Sequence, residues 1–342
     1  MLKLGIIGTS WITHSFVNAA LATGQYELRA VYSRQLGKAE KFASKYENQE
    51  NIALMTDLSE LCAMADLDVV YIASPNSLHY EQARQLMSAG KNVIVEKPAV
   101  STVEELDDLI ELSEEKEVFF FEAARHIHEE NFQRVASFLK NRDDILGANL
   151  SFRKYSSRYD AVLRGEEPNI FSPKFSGGAI MDLGVYLVYA AVGWFGMPEE
   201  AFYFNNQLPN GVDVIGTMIL RYPGFDVTMN TGKHTESYLP SEIYLSDSTL
   251  CLDAINSIGK IVQKKRDNGD IQEINFGTDV SEVDMYEEAL AFAEVIKNPM
   301  NVEKNKQYQD WIQLSRDVHE LMNKMRKDSG IVFDADKKEI RG

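Results

Sequence analysis

The segment Glu96-Lys97-Pro98 ends a short apolar strand and presents a carboxylate and an ammonium group. Residues 92–95 before it are mostly β-branched, which is typical of a strand. Apolar residues on both faces indicate a strand inside a parallel sheet, whose carboxyl edge is where open α/β folds bind ligands. Pro98 favours an extended conformation at Lys97. Lys97 is therefore a candidate functional group, and the alternative is a solvated strand end.

Strands and helices alternate through the first third of the chain and would position that strand end. Strands are predicted at residues 2–8, 28–32, 69–73, 92–95 and 118–121, with helical stretches between them at 12–22, 58–64, 78–89 and 104–115. Ser10 and Asp57 are placed to cap two of these helices. Alternation of this kind builds βαβ units and a parallel sheet.

The loop after the first strand is where such a sheet holds the pyrophosphate of a dinucleotide, using glycines and a helix amino terminus. Here the loop reads Gly8-Thr9-Ser10-Trp11-Ile12-Thr13, so only the first glycine of a GxGxxG pattern is present. Ser10 and Thr13 are small enough to leave the approach open. Small residues also suit any tight turn between a strand and a helix, and that alternative stays open.

The end of the second strand bears on which dinucleotide is bound. An acidic residue there would bind the ribose 2′-hydroxyl of NAD. This chain has Ser33-Arg34, a hydroxyl and a guanidinium that suit a 2′-phosphate. The prediction is a preference for NADP with NAD still allowed, and the alternative is a surface arginine without that role.

The alternation ends after about residue 123. A helix at 131–140, a strand at 146–155, a long loop at 156–176 and a helix from Gly177 to about residue 195 are predicted. Further strands are predicted at 201–205, 212–222, 225–233, 242–245, 250–253 and 260–264, with turn signals that include Asn268-Gly269. Helices at 283–297 and 307–326 and a strand at 331–333 close the chain. The pattern predicts a mostly antiparallel sheet with helices on one face and a homodimer formed through the other.

Composition limits the class of protein. The 342 residues suffice for two domains, which we place at 1–122 and 123–342. The net charge of −17 repels phosphates and anionic lipids, so neither nucleic acid nor a membrane is expected as a partner. Cys62 and Cys251 lack metal or redox spacing. No signal peptide or membrane span is recognised, and a cytoplasmic location is expected.

Six short motifs follow one another in a specific order. They are Gly5-Ile-Ile-Gly8, Ser33-Arg34, Tyr71-Ile-Ala-Ser-Pro75-Asn76-Ser-Leu-His79, Gly90-Lys91, Glu96-Lys97-Pro98 and Gly177-Gly178-Ala-Ile-Met-Asp182-Leu-Gly184-Val-Tyr186. Together they span nearly the whole chain and resemble the Gfo/Idh/MocA oxidoreductase family. The resemblance implies an α/β Rossmann nucleotide-binding domain, then an α+β domain with a large open-faced sheet. It also implies NAD(P)-dependent chemistry on a sugar, polyol or vicinal diol.

The resemblance also implies roles for individual residues. Lys97, Tyr186 and Asp182 would be catalytic, and Arg125, Asp182 and Tyr186 would contact the substrate. The cofactor would be bound by Gly8, Thr9, Ser10, Trp11, Ile12, Ser33, Arg34, Ser74, Pro75, Asn76, His79, Glu96, Lys97 and Glu122. A tyrosine at position 186 is similar to the dihydrodiol dehydrogenase and D-xylose dehydrogenase branch, and a cis Lys97–Pro98 bond is expected. No metal is expected, because the HxH at His126 and His128 is a spacing more often structural.

The chemistry of these residue types agrees with those roles. Hydride transfer from a carbinol carbon to a nicotinamide requires the hydroxyl proton to leave, and Tyr186 is suited to accept it. A phenol with a pKa of about 10 needs a nearby cation to do so, which Lys97 would supply. Asp182 precedes Tyr186 by four residues, so the two share a helix face. A helix-capping Asp and a core Tyr are the alternatives, and a non-catalytic NAD(P)-binding regulator is the alternative function.

Overall fold

The computed structural model describes residues 1–47, 49–267 and 270–337, which form two compact units. The first unit consists of Met1–Ala123 with Ser281–Gln313, and the second of Ala124–Val280 with residues 314–337. The predicted boundary at residues 122 and 123 lies next to this division. Ser281–Gln313 belong to the first unit, rather than to the predicted second domain, because Phe292 enters its core and stacks on Phe121 with ring centroids 4.6 Å apart.

A six-stranded parallel sheet forms the centre of the first unit, in the order β3-β2-β1-β4-β5-β6. The strands are β1 Leu2–Ile7, β2 Tyr26–Tyr32, β3 Ala53–Met55, β4 Val69–Ile72, β5 Asn92–Glu96 and β6 Phe120–Ala123. The helices between them are α1 Trp11–Ala22, α2 Leu36–Ala43, α3 Leu58–Ala63, α4 His79–Ser88 and α5 Val103–Lys116. The strand order reverses between β1 and β4, which is where open α/β sheets bind ligands.

Both faces of this sheet are buried, which explains why its central strands are apolar throughout. Within β4, Val69 and Tyr71 enter one core cluster, whereas Val70 and Ile72 enter the other. Successive side chains of a strand point to opposite faces, so each cluster lies on one side of the sheet. The predicted α/β Rossmann class is confirmed.

Of the two predicted helix caps, the structure contains one. Asp57 caps α3, because its carboxylate accepts a hydrogen bond of 2.9 Å from the backbone N–H of Ser59. Ser10 occupies the N-cap position of α1, but its hydroxyl makes no capping hydrogen bond and lies 3.5 Å from the Thr13 hydroxyl. The N–H groups at this end of α1 are therefore not satisfied by the Ser10 side chain.

An eight-stranded sheet in the order β14-β13-β12-β11-β7-β10-β9-β8 forms the second unit. Its strands are β7 Ile145–Arg153, β8 Glu200–Gln207, β9 Asp213–Tyr222, β10 Phe225–Gly232, β11 Ser241–Leu245, β12 Ser248–Leu252, β13 Ile261–Asp267 and β14 Asp270–Asn275. Only β7 and β10 pair in parallel, so the prediction of a mostly antiparallel sheet is confirmed. The predicted turn at Asn268-Gly269 lies outside the described residues.

The remaining helices are α6 Glu130–Leu139, α7 Tyr159–Leu163, α8 Val185–Phe195, α9 Tyr286–Lys297 and α10 Val302–Asp328, and a π-helical turn, Ile180–Gly184, precedes α8. The sheet of the second unit packs on one face only. In β8, Ala201 and Tyr203 are buried, whereas Phe202 and Phe204 are 42% and 62% exposed. The open-faced sheet expected from the family resemblance is therefore present.

One prediction about the second half of the chain needs correction. Residues 331–333 do not form a strand, because Arg326 donates to the Ile331 carbonyl at 3.0 Å and its guanidinium covers the ring of Phe333. The segment Pro173–Phe195 is long and apolar enough to cross a membrane, although none was recognised from sequence. Its most apolar window is 78% buried inside the protein, as in the core helix of a globular unit.

Candidate functional site

Buried side chains fix the carboxyl end of β5. Glu96 is buried, and its carboxylate accepts hydrogen bonds from the Tyr71 hydroxyl and, at 3.2 Å, from the backbone N–H of Lys97. Tyr71 is held in turn by stacking on Phe16, with ring centroids 3.9 Å apart. The Lys97–Pro98 bond is cis, as the resemblance implied. The backbone at Lys97 is thus held by groups that solvent does not reach.

Two further buried groups hold the residues after Lys97. Glu122 accepts a hydrogen bond of 3.0 Å from the backbone N–H of Ala99. His79 is 1% exposed and lies between two carbonyl oxygens, at 3.1 Å from that of Pro98 and 2.8 Å from that of Ser74. Burial lowers the pKa of His79, and the two carbonyls partly offset that effect. His79 therefore connects the loop after β4 to the loop after β5, and its predicted contact with the cofactor stays a prediction.

A cavity of about 930 Å³ opens beside the carboxyl ends of β1, β2 and β4. Its volume lies in the range of small-molecule and cofactor sites. Eight of the predicted cofactor residues line it, namely Gly8, Thr9, Ser10, Trp11, Ser33, Arg34, Ser74 and Pro75. The other predicted cofactor residues, which are Ile12, Asn76, His79, Glu96, Lys97 and Glu122, do not line this cavity.

Gly8 is required for the shape of this cavity. Its φ of +102° is one that residues with a side chain rarely adopt. An added Cβ would lie 2.6 Å from the carbonyl oxygen of Ala73, at the end of β4. Only glycine therefore lets the loop after β1 pass this close to β4.

The lining of the cavity is strongly cationic. Arg34, Lys38, Lys41 and Lys45 contribute to it, and no Asp or Glu does. Within residues 1–47, 49–267 and 270–337, no carboxylate pairs with Arg34, Lys38 or Lys41. In a chain with a net charge of −17, unpaired cations that line one cavity indicate a site for an anion. The three lysines are not among the residues predicted from sequence. Their positions, 38, 41 and 45, lie three or four residues apart along and just after α2, and this spacing was the signal that could have identified them.

The Lys45 ammonium is hydrogen-bonded to the imidazole ring of His14, on α1. The ammonium lies 3.1 Å from Nε2 of His14, and Nδ1 of His14 lies 2.7 Å from the Tyr46 hydroxyl. The ammonium can only donate, so Nε2 accepts and Nδ1 carries the proton. Burial, and then the charge of Lys45, lower the pKa of His14, which favours the neutral ring.

In the second unit, Asp182 lies in the π-helical turn Ile180–Gly184, and Tyr186 lies in the first turn of α8. The helix predicted from Gly177 is therefore interrupted by a geometry that is rare and is frequent at functional sites. Asp213 holds the start of this turn, because its Oδ2 accepts from the backbone N–H of Ile180 at 2.7 Å and from the Tyr203 hydroxyl at 2.6 Å. Burial raises the pKa of Asp213, while these two hydrogen bonds lower it.

Gly178 makes room for Asp213. A Cβ at this position would lie 2.0 Å from Oδ1 of Asp213, and the φ of Gly178 is +127°. Asp213 is not among the predicted site residues. The glycine pair before the π-helical turn was the only sign in the sequence that something approaches the backbone here.

Asp182 forms an ion pair with Lys233, which follows β10. The Lys233 side chain is 1% exposed, whereas that of Asp182 is 37% exposed. The ammonium also lies 5.1 Å from the centroid of the Phe171 ring. Lys233 is absent from the predicted site, because it lies at the end of a predicted strand with no motif around it.

Tyr186 packs among aromatic rings of the second unit. Its ring centroid is 4.8 Å from that of His126 and 5.5 Å from that of Phe152. His126 belongs to the short helical turn Arg125–His128, so the predicted substrate residue Arg125 starts the segment that packs on Tyr186. Burial lowers the pKa of His128 to about 3. Among the described residues, no three His, Cys, Asp or Glu side chains are grouped so that they could hold a metal ion.

Comparison with known proteins decides the family. Residues 2–124 match the oxidoreductase family with an NAD-binding Rossmann fold, Gfo/Idh/MocA, and residues 124–250 match a C-terminal domain of the same family. The chain belongs to the Gfo/Idh/MocA family. The family resemblance predicted from the motifs is confirmed, and so is an NAD(P)-dependent oxidoreductase that acts on CH–OH groups.

Individual Gfo/Idh/MocA proteins are similar over their full length. Scyllo-inositol 2-dehydrogenase (NADP(+)) IolU of Bacillus subtilis is 36% identical over 98% of this chain and 99% of its own. The uncharacterized oxidoreductase YgjR of Escherichia coli is 34% identical over the same shares of the two chains. The crystal structure of KijD10, a 3-ketoreductase from Actinomadura kijaniata in complex with NADP and TDP-benzene, has a TM-score of 0.80. It covers 95% of this chain and 97% of its own at 20% identity, which shows the shared fold.

Proposed function

We propose that this Gfo/Idh/MocA protein transfers a hydride between the nicotinamide of NADP(H) and a carbinol or carbonyl carbon of a polyol, sugar or vicinal diol. The proposal rests on the hydrogen bonds that fix the backbone at and after Lys97. Glu96, Tyr71, Glu122 and His79 are all buried or nearly so, and each contributes hydrogen bonds that fix the residues around Lys97. A lysine that merely extends into solvent at the end of a strand needs no such support.

The first unit fits a dinucleotide that carries an extra phosphate. Gly8 lets the loop after β1 pass close to β4, and this loop leads to the amino terminus of α1, where the backbone N–H groups favour an anion such as a pyrophosphate. Arg34, Lys38 and Lys41 are unpaired in the described part of the chain and supply positive charge for a 2′-phosphate. The name of the B. subtilis relative specifies NADP(+), which agrees with this choice over NAD.

The proton transfer is assigned to groups of this chain. In the oxidation, a bound NADP would supply the acceptor for the hydride of the carbinol C–H bond, and Tyr186 would take the hydroxyl proton. The ammonium of Lys97 donates a hydrogen bond to the reacting oxygen and favours the phenolate form of Tyr186. Asp182 accepts hydrogen bonds from neighbouring hydroxyl groups of the substrate. Reduction reverses each step, with Tyr186 as the acid.

The outer face of the eight-stranded sheet suits a second copy of the chain. Phe202 and Phe204 lie on it and are largely exposed, which favours burial in a homodimer. Phe204→Glu is expected to shift sedimentation from dimer to monomer. An unchanged sedimentation coefficient would place the contact elsewhere. A cytoplasmic location stays a prediction.

A substrate panel tests the function. Scyllo-inositol, D-xylose and trans-1,2-dihydrobenzene-1,2-diol are each supplied with NADP and with NAD, and formation of the reduced cofactor is followed by absorbance. We expect turnover of at least one of them, with a higher kcat/KM for NADP than for NAD. Tight binding of NADPH without turnover of any polyol, sugar or diol would instead favour the non-catalytic regulator.

A further inference from the structure

Lys233 is an unusual lysine, because its side chain is 1% exposed. Lysine is almost never fully buried without a partner, since removing an ammonium ion from water is costly. Among the described residues its ion-pair partner is Asp182. The Asp213 carboxylate acts on it through charge alone, and the Phe171 ring lies under the ammonium at 5.1 Å. Lys233 is therefore a buried cation in the second unit.

Both backbone groups of Lys233 are hydrogen-bonded. The N–H of Lys233 donates to the carbonyl of Val214 in β9 at 2.8 Å, and its carbonyl accepts from the N–H of Ser156 at 2.8 Å. Lys233 is thus tied to the sheet and to the first residue of the loop 156–176. Phe171, which covers the ammonium, belongs to the same loop. Because its backbone is fixed and its side chain is buried against the Phe171 ring, Lys233 has little freedom to follow its partner, so the position of the Asp182 carboxylate is set by the ammonium.

The carboxylate of this pair remains accessible, because the Asp182 side chain is 37% exposed. A cation in contact with a carboxylate favours its ionised form, which can only accept hydrogen bonds. An accepting group of this kind binds hydroxyl donors. The pair is therefore suited to substrates with several hydroxyl groups.

We infer that Lys233 is a positioning residue, which fixes the Asp182 carboxylate as an acceptor for the hydroxyl groups of a polyol. The inference rests on the proposed function, because it takes Asp182 as the group that contacts the substrate. It adds to that function a residue, Lys233, which is not among the residues predicted from sequence.

A double-mutant cycle tests the inference in the full chain. The variants are Lys233→Met, Asp182→Asn and the two combined, with Lys264→Met as the control. Lys264 also pairs with a carboxylate, that of Glu273 at 3.2 Å, but the pair lies on an exposed strand. The readouts are the kcat and KM for scyllo-inositol and D-xylose, the Kd for NADPH, and the Tm without substrate.

Each single substitution of the pair should lower kcat/KM by about 100-fold, the size of effect that follows a small misplacement of a substrate-binding group. The double variant should lose no more than the single variants, because Lys233 acts through Asp182. The Kd for NADPH should not change, and Lys264→Met should resemble the wild type. Losses that multiply in the double variant, or a Lys233→Met enzyme with normal kcat/KM, would overturn the inference.

The Tm values separate this inference from the proposed function. Asp182→Asn leaves the buried ammonium without its partner and should lower the Tm sharply, and adding Lys233→Met should restore most of the loss. Additive Tm changes would show that the two side chains are not coupled and would overturn the inference. If the wild type turns over neither scyllo-inositol nor D-xylose, the proposed function loses that support, while the Tm cycle still decides whether Lys233 holds Asp182.

Discussion

Replacing Gly178 with alanine should displace the turn that carries Asp182. The new Cβ would lie 2.0 Å from Oδ1 of Asp213, and the φ of +127° is unfavourable for alanine. Asp213 is buried and holds the N–H of Ile180 and the hydroxyl of Tyr203. Its carboxylate has to move away from the added methyl group, and one or both of these hydrogen bonds lengthen as a result.

The size of the effect follows from these contacts. Backbone strain at such a φ costs about 1–3 kcal/mol. Loss of one hydrogen bond to a charged group costs about 1.5–3 kcal/mol. Together these lower the free energy of unfolding of the second unit by roughly 2.5–6 kcal/mol.

Gly196 provides a matched control in the same unit. It has a φ of +78° at the end of α8, and a Cβ there would meet nothing within 4 Å. Gly196→Ala therefore carries only the strain, about 1–3 kcal/mol. Thermal and urea unfolding of both variants measures the difference. Equal losses of stability, or normal turnover of scyllo-inositol by Gly178→Ala, would refute the role assigned to the contact between Gly178 and Asp213.

Three further substitutions test other parts of the structure. Arg34→Asp should lower the ratio of kcat/KM for NADP over NAD by about 10- to 100-fold, as expected for loss of a charge-assisted hydrogen bond; an unchanged ratio would contradict the role of Arg34. Gly8→Ala should weaken NADPH binding in titrations, because its Cβ meets the Ala73 carbonyl at 2.6 Å; an unchanged Kd would contradict the close approach. Burial holds the pKa of His128 at about 3, below its ordinary 6.5, so the unfolded chain takes up a proton that the folded chain does not as the pH falls below about 6.5. Stability should therefore fall between pH 7 and pH 5, and His128→Gln should show a smaller loss of Tm over that range, whereas an equal loss would contradict the burial of the ring.

The parallel sheet could be predicted because its strands are buried on both faces and are apolar throughout. The strand β3 has only three residues, and all six residues of β14 are exposed, so neither shows a burial pattern that sequence can display. The apolar residues at 331–333 are the opposite case. Ile331 and Phe333 are buried and Val332 is exposed, which is the alternation of a strand, but their backbone groups bond to Arg326 and Asp336 in place of a neighbouring strand.

The candidate site was predictable where its chemistry follows from position in a strand. Lys97 comes at the end of an apolar strand, and Ser33 and Arg34 come at the end of another, so their placement follows from the sheet alone. Lys233 and Asp213 were not predictable. Their contacts with the π-helical turn join residues 51 and 33 positions apart, and those contacts depend on how β9 and β10 pack against it.

The proposed function gives Lys97 a part in the chemistry of an NADP-dependent polyol oxidoreductase. The direct measurement compares kcat for the best substrate of the panel, and the Kd for NADPH, in the wild type, Lys97→Ala and the exposed control Lys264→Ala. We predict that Lys97→Ala retains NADPH binding and loses kcat by about 10²- to 10⁴-fold, the range for loss of acid–base assistance, while Lys264→Ala behaves as the wild type. Near-normal turnover by Lys97→Ala would contradict that role of Lys97.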